Sequence, residues 1–533
     1  MEDRSLADIA GAGQALAQPG VFPFQSPNGG REVFFHGLHF TLDVKLAQYI
    51  YCVMHTPLFP QWRQRLAALG TRLQPLRQQS LLHLDTLFGP FLPPGLLSQT
   101  DEGPGSRDRI YSIRRTFFGF LYQVLNPQCA CLEIVRQIQA LFGLHNLGPV
   151  SENSSAYSQA RGRLPLDILS RLRVAAAGHA QKFSELWLGL CVKVIDGTTT
   201  RLPDTLKNQR VYPQSEAQKP GCGFPLLKLV GVFSLATGVL LDYAKGNKHQ
   251  HELNLLQRLL DQFKPGDLAL ADRGFSSYCL MALLLLRKVQ CLFRLHQARP
   301  SDLRKGKRLG KNDRLLVWLK PSQKPRYLPK ALWKRIVAQL SVRVIRFSLE
   351  VPGYRAQSVT LVTTLLDAQA FPAQELARLY ARRWCVELWF RDIKTTMGME
   401  ELRCKSPGMV HKELEMFFIA YNLIRCLMVQ AGQVGDVPVQ WLSFKGTVDS
   451  ARQFSLAIAQ ATSRKKQKQL IGQLLEIIAR DQLPDRPDRR EPRAVKRRPK
   501  PYPLLNRPRH EFQEIPHRNR YWKNNPRISR GLN

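Results

Sequence analysis

The hydrophobic positions of this chain follow two different periods. From about position 46 to position 180, apolar residues recur every three or four positions, as in Phe117, Leu121 and Val124, which is the period of amphipathic helices. From position 188 onward, short apolar runs alternate with turn residues, a pattern typical of strands. The chain is therefore predicted to begin with an all-helical domain and to continue as an α/β domain.

The second region has a definite order of elements. Strands are predicted at 188–195, 226–234, 239–244, 268–271 and 289–295, with helices at 251–263 and 276–288. Ala-Thr-Gly between the second and third strands indicates a hairpin. Strand, hairpin, helix, strand, helix, strand is the order of an RNase H-like α/β domain. A further strand is predicted at 358–366, Pro372 opens a long helix, and more helices reach about position 479.

A strong positive charge points to a polyanionic partner. The 533 residues include 78 Lys or Arg against 41 Asp or Glu, a formal net charge of +37. Nucleic acid is the expected partner, and a ribosome-associated or merely highly soluble basic protein is the alternative. The stretch 297–357, with sixteen basic and three acidic residues, predicts a basic β-rich insertion in the α/β domain.

Cysteine usage and apolar runs bear on the compartment. The ten cysteines have no regular spacing, which implies no disulfide framework and fits a reducing compartment. Cys129 and Cys131 form a close pair, but they lack further ligands at zinc spacing and are interpreted as helix or core residues. No secretory signal pattern and no apolar run of roughly 20 residues is found, so we expect a soluble intracellular protein that contacts no membrane.

Two acidic residues follow apolar strands of the α/β domain, Asp196 after 188–195 and Asp272 after 268–271. Because open α/β sheets present the carboxyl ends of their strands to one crevice, we expect these carboxylates to converge. They would repel each other unless a cation lay between them, and Mg²⁺, a hard ion that takes oxygen ligands, suits this role. Each Asp alone also fits a turn or a helix cap, but the joint placement favours a metal site.

Two such ions about 3.5–4 Å apart can activate an attacking oxygen and stabilise a leaving one at phosphorus, and a third carboxylate is needed to hold them. Glu387 is our candidate. In a helix of about 100° per residue, one face carries Tyr380, Arg383, Glu387 and Lys394, joined by Arg391. This face offers phosphate-binding groups on both sides of the acid. The alternative is a solvated helix in which Arg383 and Glu387 form an i, i+4 pair.

The segments around the three acids form motifs. Tyr380-x2-Arg383-x3-Glu387-x6-Lys394 reads Y-R-E-K at fixed spacing. The other two motifs are Ile195-Asp196-Gly197-Thr198-Thr199 and Ala271-Asp272-Arg273-Gly274-Phe275. Together they resemble the insertion sequence 4 family of bacterial DDE transposases, with its Y-R-E-K signature and the regions around its first two catalytic aspartates. The similarity covers roughly residues 190–430.

The resemblance implies an RNase H-like core, with a β-rich insertion before the catalytic Glu, and Mg²⁺-dependent cutting of element ends, with Mn²⁺ able to substitute. It implies that two metal ions are held by Asp196, Asp272 and Glu387. It also implies that backbone phosphates near the cut are bound by Tyr380, Arg383 and Lys394. Arg391 and Arg273 are further candidates for phosphate binding, although Arg273 also fits a pairing with the carboxylates.

Members of this family can excise through a DNA hairpin, using an aromatic residue of the insertion to stack a flipped base. Trp318, Trp333 and Tyr354 are candidates here, and no motif selects among them. Core packing is the alternative for each. His249 and His251 resemble a metal pair but lack further ligands and precede a helix, so capping or solvent exposure is the preferred interpretation.

The expected organisation has four parts: a loosely ordered leader at 1–35, a helical N-terminal DNA-binding domain at 36–185, a catalytic domain at 186–460 that contains the insertion 297–357, and a helical segment with a flexible basic tail at 461–533. Within the helical domain, the pattern at 132–176 is compatible with a helix-turn-helix, and ordinary helix packing explains it equally. The residues that read bases are therefore not assigned.

The expected substrate is double-stranded DNA, both the inverted repeats of the element and the target, bound by a homodimer in the bacterial cytoplasm at the nucleoid. Two other functions fit the same residues. One is a DNA-binding protein without catalysis, such as a degraded or repurposed copy. The other is a metal-dependent nuclease that cuts DNA without joining it.

Overall fold

The computed structural model describes residues 82–97 and 110–484, with short gaps at 145, 147, 218, 220, 297–298, 300–302 and 350–356, together with residue 511. The predicted leader and nearly all of the predicted basic tail lie outside the described residues. The chain divides into two units, one of residues 1–77 with 142–148 and one of residues 78–141 with 149–533. The elements below belong to the second unit, apart from the end of the helix Cys131–Leu144.

The strands of the described residues form one sheet. In chain order they are β1 (Cys191–Arg201), β2 (Leu226–Ser234), β3 (Leu240–Gly246), β4 (Asp267–Ala271), β5 (Gln290–Arg294), β6 (Lys307–Gly310), β7 (Asp313–Leu319), β8 (Gln339–Leu349) and β9 (Gln357–Thr363). Their order across the nine-stranded sheet is β3-β2-β1-β4-β5-β9-β8-β7-β6. β4 pairs in parallel with β1 and β5, and the other pairs are antiparallel. The expectation of an α/β fold is confirmed.

β1 is longer than predicted, and this changes the position of Asp196 within the strand. Asp196 was expected to end the strand, but β1 continues to Arg201, so Asp196 lies inside it. The reason is long-range pairing, because β2 accompanies β1 as far as the pair Arg201 and Leu226. The parallel pairing with β4 ends earlier, at Ile195 and Ala271. Asp196 therefore marks the end of the parallel ladder and not the end of the strand.

The predicted β-rich insertion does not form a sheet of its own. Its strands β6 to β8 continue the main sheet, because β8 pairs with β9 and β9 pairs with β5. Inside this extension Nε of Arg343 donates to Oδ1 of Asp313 across 2.9 Å, and both side chains are buried. A buried pair of this kind tolerates loss of either partner poorly, since the other charge would be left without compensation.

Helices cover both faces of the sheet. They are α1 (Leu82–Phe88), α2 (Ile113–Leu125), α3 (Cys131–Leu144), α4 (Ser155–Arg163), α5 (Leu166–Gln181), α6 (Leu206–Val211), α7 (Glu252–Leu256), α8 (Tyr278–Leu285), α9 (Lys330–Arg335), α10 (Ala373–Arg382), α11 (Cys385–Arg391), α12 (Pro407–Gly435), α13 (Phe444–Ala459) and α14 (Arg464–Arg480). Short 3-10 segments follow α7 and β4, at Gln257–Gln262 and Arg273–Phe275.

The two faces of the sheet have separate cores. On one face, α7 and the wholly apolar α8 pack with Ile195, Val232 and Ala271. On the other, Phe233 contacts Trp389 of α11 and Tyr421 of α12. Since side chains alternate along a strand, Ile195 and Asp196 point to opposite faces. Asp196 is thereby directed to the face that carries α11.

α12 is a core helix. It is long enough and apolar enough to cross a membrane by length and composition alone, but 94% of its apolar window is buried inside the protein. The side chain of Asn422 bonds the backbone of Leu240, accepting from N and donating to O, each across 2.9 Å. These contacts fix α12 on β3 at the outer part of the sheet.

The segment considered for helix-turn-helix binding contains three helices, α3, α4 and α5. α5 begins at Leu166, directly after Pro165. Its buried face packs on α12, where Nε of Arg173 donates to Glu415 across 2.9 Å and Sγ of Cys426 donates to the carbonyl of Ala176 across 3.2 Å. This face of α5 is occupied by helix packing and is closed to DNA.

Candidate active site

The two aspartates are brought together by the parallel pairing of β1 and β4. Ile195 lies opposite Ala271, and each is followed directly by an aspartate, Asp196 and Asp272. Oδ1 of Asp196 accepts a hydrogen bond from the backbone N–H of Gly197 at 2.8 Å. Asp196 and Asp272 therefore follow paired residues of neighbouring parallel strands, as the sequence led us to expect.

Asp272 is held by a buried tyrosine. The hydroxyl of Tyr380 donates to Oδ1 of Asp272 across 3.2 Å, and Tyr380 is only 3% exposed. Burial raises the pKa of Tyr380 far above its ordinary value, and the nearby Asp272 adds to this effect. The phenol therefore stays protonated and acts as a donor to the carboxylate.

Arg383 is a buried cation of this site. It is 4% exposed, and its Nη2 donates to Oε1 of Glu387 across 3.1 Å. Burial by itself would lower the pKa of Arg383, but Tyr380, Asp272 and Asp196 outweigh burial and raise it. Nε of Arg383 is buried without a hydrogen-bond partner in the described part of the chain. The guanidinium thus lies among the acids and is turned away from solvent.

Burial and neighbouring acids raise the pKa of Asp196. Burial, the largest cause, raises the pKa of Asp196 to about 6, and the negative charges of Glu387 and Glu252 act in the same direction. The N–H of Gly197 and the charge of Arg383 oppose the rise. Asp196 thus sits where an additional positive charge would stabilise its ionised form.

The predicted long helix that carries the Y-R-E-K residues is interrupted, so the expectation of one regular helix after Pro372 was wrong. α10 ends at Arg382, and i to i−3 hydrogen bonds tighten the junction, from Val386 N to Arg383 O and from Glu387 N to Trp384 O, both at 3.1 Å. α11 then widens into a π-helical turn, Asp392–Thr396, a deviation often found at functional sites. The turns that present the four residues therefore differ in pitch.

The four residues nevertheless reach the same end of the sheet. Tyr380 contacts Asp272 and Arg383 contacts Glu387, as described above. Lys394, in the π-helical turn, places Nζ 3.4 Å from Oγ1 of Thr198, two residues beyond Asp196 on β1. Arg391 and Arg273 are exposed. Of the basic residues considered for phosphate binding, Arg383 is buried, whereas solvent reaches Lys394, Arg391 and Arg273.

Two further ionic residues stand at this end of the sheet and were not found from the sequence. Arg294 is the last residue of β5, and its charge lowers the pKa of Tyr380 against the larger effect of burial. Glu252 begins α7 and faces Gly197. His251 caps the same helix, accepting from Leu253 N, so the capping interpretation is confirmed.

The arrangement is incomplete as a metal centre. Within the described ranges, no group of three or more His, Cys, Asp or Glu side chains lies close enough together to hold a metal ion. Glu387 is half exposed and bonded to Arg383. The carboxylate oxygens are the donors that Mg²⁺ prefers. The donor chemistry therefore fits a divalent ion, whereas the positive charge in this conformation comes from Arg383.

The aromatic candidates of the insertion have packing roles. Trp318 and Trp333 lie partly buried against the core of the sheet. The guanidinium of Arg299 stands 4.3 Å from the centroid of Trp318, and Nζ of Lys320 stands 4.2 Å from that of Trp333. Tyr354 lies outside the described residues. Core packing explains both tryptophans.

Comparison with known proteins agrees with these motifs. Residues 187–423 match the family model of the transposase DDE domain. Transposase InsG for insertion sequence element IS4 of Escherichia coli (strain K12) is 31% identical over 439 residues, which cover 80% of this chain and 95% of that protein. A probable transposase for insertion sequence element IS5377 of Geobacillus stearothermophilus is 32% identical over 88 residues, 16% of this chain and 22% of that protein.

Among solved structures, the cryo-EM structure of the piggyBac transposase synaptic complex with hairpin DNA aligns over 75% of this chain and 85% of that chain, at 11% identity and a TM-score of 0.36. The family assignment does not depend on this weak likeness. It depends on the identity to InsG along nearly all of that protein, together with the match to the DDE domain. This chain belongs to the insertion sequence 4 family of DDE transposases.

Proposed function

We propose that this protein binds the inverted ends of an insertion sequence, cleaves them by metal-dependent phosphoryl transfer and joins the freed 3′-hydroxyl to target DNA. The observation that supports this most is the adjacency of Asp196 and Asp272 at the end of the β1 and β4 ladder. Glu387 is the third acid, brought to the same end of the sheet by α11, which packs on β1.

The fold we propose for the catalytic domain is RNase H-like. In its support, β3, β2, β1, β4 and β5 are consecutive in the sheet, with β2 and β3 antiparallel neighbours on one side and parallel β4 and β5 on the other. On this proposal the insertion is an extension of the sheet that begins after β5 and returns through β9. The catalytic domain spans residues 186–460 and the DNA-binding domain residues 36–185.

The proposed chemistry is a sequence of two displacements at phosphorus. Water attacks first and frees a 3′-hydroxyl at the element end, and that hydroxyl then attacks a phosphate of the target. Two divalent ions, Mg²⁺ or in its place Mn²⁺, would activate the attacking oxygen and stabilise the leaving one. Asp196, Asp272 and Glu387 would hold them. For Glu387 to do so, its carboxylate has to turn from Arg383.

The remaining polar residues of the Y-R-E-K face and Arg273 have two different proposed roles. Tyr380 and Arg383 are buried against the acids, so we assign them to orienting and charge-balancing the carboxylates. Phosphate binding near the cut falls to residues that solvent reaches. We propose Lys394, Arg391 and Arg273 for this role, and a phosphate that approached Glu387 would also come within reach of Arg383.

The strong positive charge of the chain supports double-stranded DNA as the partner. A net charge of +37 favours fast, salt-dependent association with the phosphate backbone. We propose that two copies act together, each holding one end of the element, in the bacterial cytoplasm at the nucleoid. The helices before β1 would supply contacts to the terminal repeats.

A joining assay tests the proposal. The full-length protein is incubated in Mg²⁺ with linear DNA that carries the inverted repeats flanking the coding region and with a supercoiled plasmid. Plasmid covalently joined to element ends is the expected product. Cut ends without joined product would instead identify a nuclease, and bound but intact DNA would identify a binding protein without catalysis.

A further inference from the structure

Three neighbouring parallel strands are followed by charged residues in one row. Across β1, β4 and β5, one row of paired residues consists of Ile195, Ala271 and Phe293. The next residue along each chain segment is charged, and these three residues are Asp196, Asp272 and Arg294. Phe293 belongs to the core beneath α8, so the alternation of side chains directs Arg294 to the opposite face, the face of Asp196. Arg294 therefore extends the row of acids by one strand.

Arg294 is a half-buried cation without a bonded partner. Within the described ranges it forms no hydrogen bond and no ion pair. Burial raises the pKa of Tyr380, and the charge of Arg294 acts in the opposite direction, which places the two side chains near each other. Tyr380 in turn donates to Asp272. The guanidinium thus stands beside the aspartate without bonding it, and its five N–H donors remain available to a ligand.

The position of Arg294 suits an anion better than a metal ion. A cation on the β5 side of Asp272 repels a divalent ion held by the aspartates. A phosphate placed between such an ion and Arg294 would be attracted by both. The fork of a guanidinium also matches the geometry of a phosphate and can bind two of its oxygens at once.

We propose that Arg294 binds a backbone phosphate of the cleaved DNA strand on the β5 side of the aspartates. This inference rests on the proposed function, which assigns cleavage to the acids and phosphate binding to Lys394. Nζ of Lys394 lies 3.4 Å from Oγ1 of Thr198 on β1, and β4 separates β1 from β5 in the sheet. Since neighbouring strands lie about 4.8 Å apart, β1 and β5 are about 10 Å apart. The DNA strand thus crosses the ends of β1, β4 and β5, with Lys394 and Arg294 on opposite sides of the scissile phosphate.

Neutralising one phosphate at a time tests this path. The cut is first mapped in Mg²⁺, and element ends with a single methylphosphonate on either side of it are then bound to the full-length protein. Binding is measured by fluorescence anisotropy in Ca²⁺, which shares with Mg²⁺ the preference for oxygen ligands. In the wild type, neutralising the phosphate at Arg294 is expected to weaken binding about tenfold at about 0.1 M salt.

Each variant should become insensitive to one phosphate only. In Arg294→Gln the loss at its own phosphate should vanish, because the contact is already missing, while the loss on the other side of the cut remains. Lys394→Ala should show the reverse. Arg294→Lys keeps the charge but not the fork, so it should retain a smaller loss at the same phosphate as the wild type.

Arg287→Gln is the matched control. Arg287 precedes β5, at the end of the strand away from Arg294, and pairs there with the exposed Asp261. Its loss removes the same charge from the opposite border of the sheet, so Arg287→Gln should keep the wild-type sensitivity on both sides of the cut. Thermal unfolding of each variant verifies that the fold is kept.

Two results would overturn the inference while leaving the proposed function intact. If Arg294→Gln keeps the full loss at every position, Arg294 acts on the acids and not on a phosphate. If Arg294→Gln and Lys394→Ala become insensitive to the same phosphate, the strand does not cross between them. The proposed function fails separately if Asp272→Asn cuts element ends in Mg²⁺ at the wild-type rate, and the phosphate contact of Arg294 then fails with it.

Discussion

The hydroxyl of Tyr380 and the carboxylate of Asp272 are joined by a hydrogen bond of 3.2 Å between α10 and the end of β4. This bond engages Oδ1 of Asp272 and so fixes the orientation of the carboxylate, including its other oxygen, Oδ2. Since Tyr380 is buried, no water replaces the donor when it is lost. The orientation of Asp272 therefore depends on a residue that does not itself face the substrate.

Tyr380→Phe is expected to slow end cleavage about ten- to a hundredfold while leaving the binding of element ends unchanged, because one hydrogen bond to a charged group contributes about 1.5–3 kcal/mol. Single-turnover cleavage at saturating DNA measures this. Tyr111→Phe is a suitable control, since the Tyr111 hydroxyl is buried without a partner among the described residues. Equal rates for the two variants would remove Tyr380 from the positioning of Asp272.

The three proposed catalytic acids should be separable from DNA binding. Asp196→Ala, Asp272→Ala and Glu387→Ala are each expected to reduce cleavage in Mg²⁺ below detection and to retain end binding in a gel-shift assay. Glu375→Ala, which removes a partly exposed acid of α10 paired with Arg378, should cleave normally. Full cleavage by any one of the three variants would exclude that residue from the chemistry.

Lys394 and Arg383 should affect binding differently. Lys394→Ala is expected to weaken DNA binding and to reduce the slope of log K against log salt by about 1, because one phosphate contact is lost. Arg383→Gln should leave the slope unchanged and instead reduce cleavage, since the buried guanidinium acts on the acids. Fluorescence anisotropy across a salt series measures both. A reduced slope for Arg383→Gln would place this residue on the phosphate after all.

Stability should fall in mild acid through His411. Its Nε2 lies 2.8 Å from the hydroxyl of Tyr212, and burial, with a smaller effect of Lys245, lowers the pKa of His411 from 6.5 to about 4. Between these two values the unfolded chain binds a proton that the folded protein does not. The free energy of unfolding that the neutral His411 contributes at neutral pH is therefore lost as the pH falls from about 6.5 to about 4.

His411→Gln cannot take up this proton and should flatten the acid side of the stability profile. The difference from wild type is expected to be on the order of 2 kcal/mol at pH 4, allowing for partial solvent screening of a shift worth about 1.4 kcal/mol per pKa unit. Urea unfolding at pH 4 to 8 provides the measurement. Parallel profiles for the two proteins would show that another group is responsible.

The sequence predicted the elements that local pattern controls. Strands β2, β4 and β5 lie within one residue of their expected bounds, because apolar runs between turn residues define them. The continuation of β1 beyond Asp196 was not predictable in this way. The polar run Gly-Thr-Thr-Thr reads as a turn, and only its pairing with the distant β2 makes it a strand.

Other features of the site depend on contacts that a pattern does not contain. The break between α10 and α11 has neither Pro nor Gly, and it occurs where Arg383 is drawn in among the acids. Glu252 looks like an ordinary helix-start residue until Gly197 is seen beneath it. The motif residues were thus predictable from spacing, whereas the environment that sets their roles required the fold.

The attachment of the insertion through β9 determines what would happen to a shortened protein. Removing the strands from β6 to β8 would leave β9, with buried Val359 and Leu361, as an uncovered border strand. Open, apolar borders of this kind pair with other chains and promote aggregation. Trimming the basic extension would therefore yield a self-associating polypeptide and not a minimal enzyme, and a functional miniature would need a new protective strand at that border.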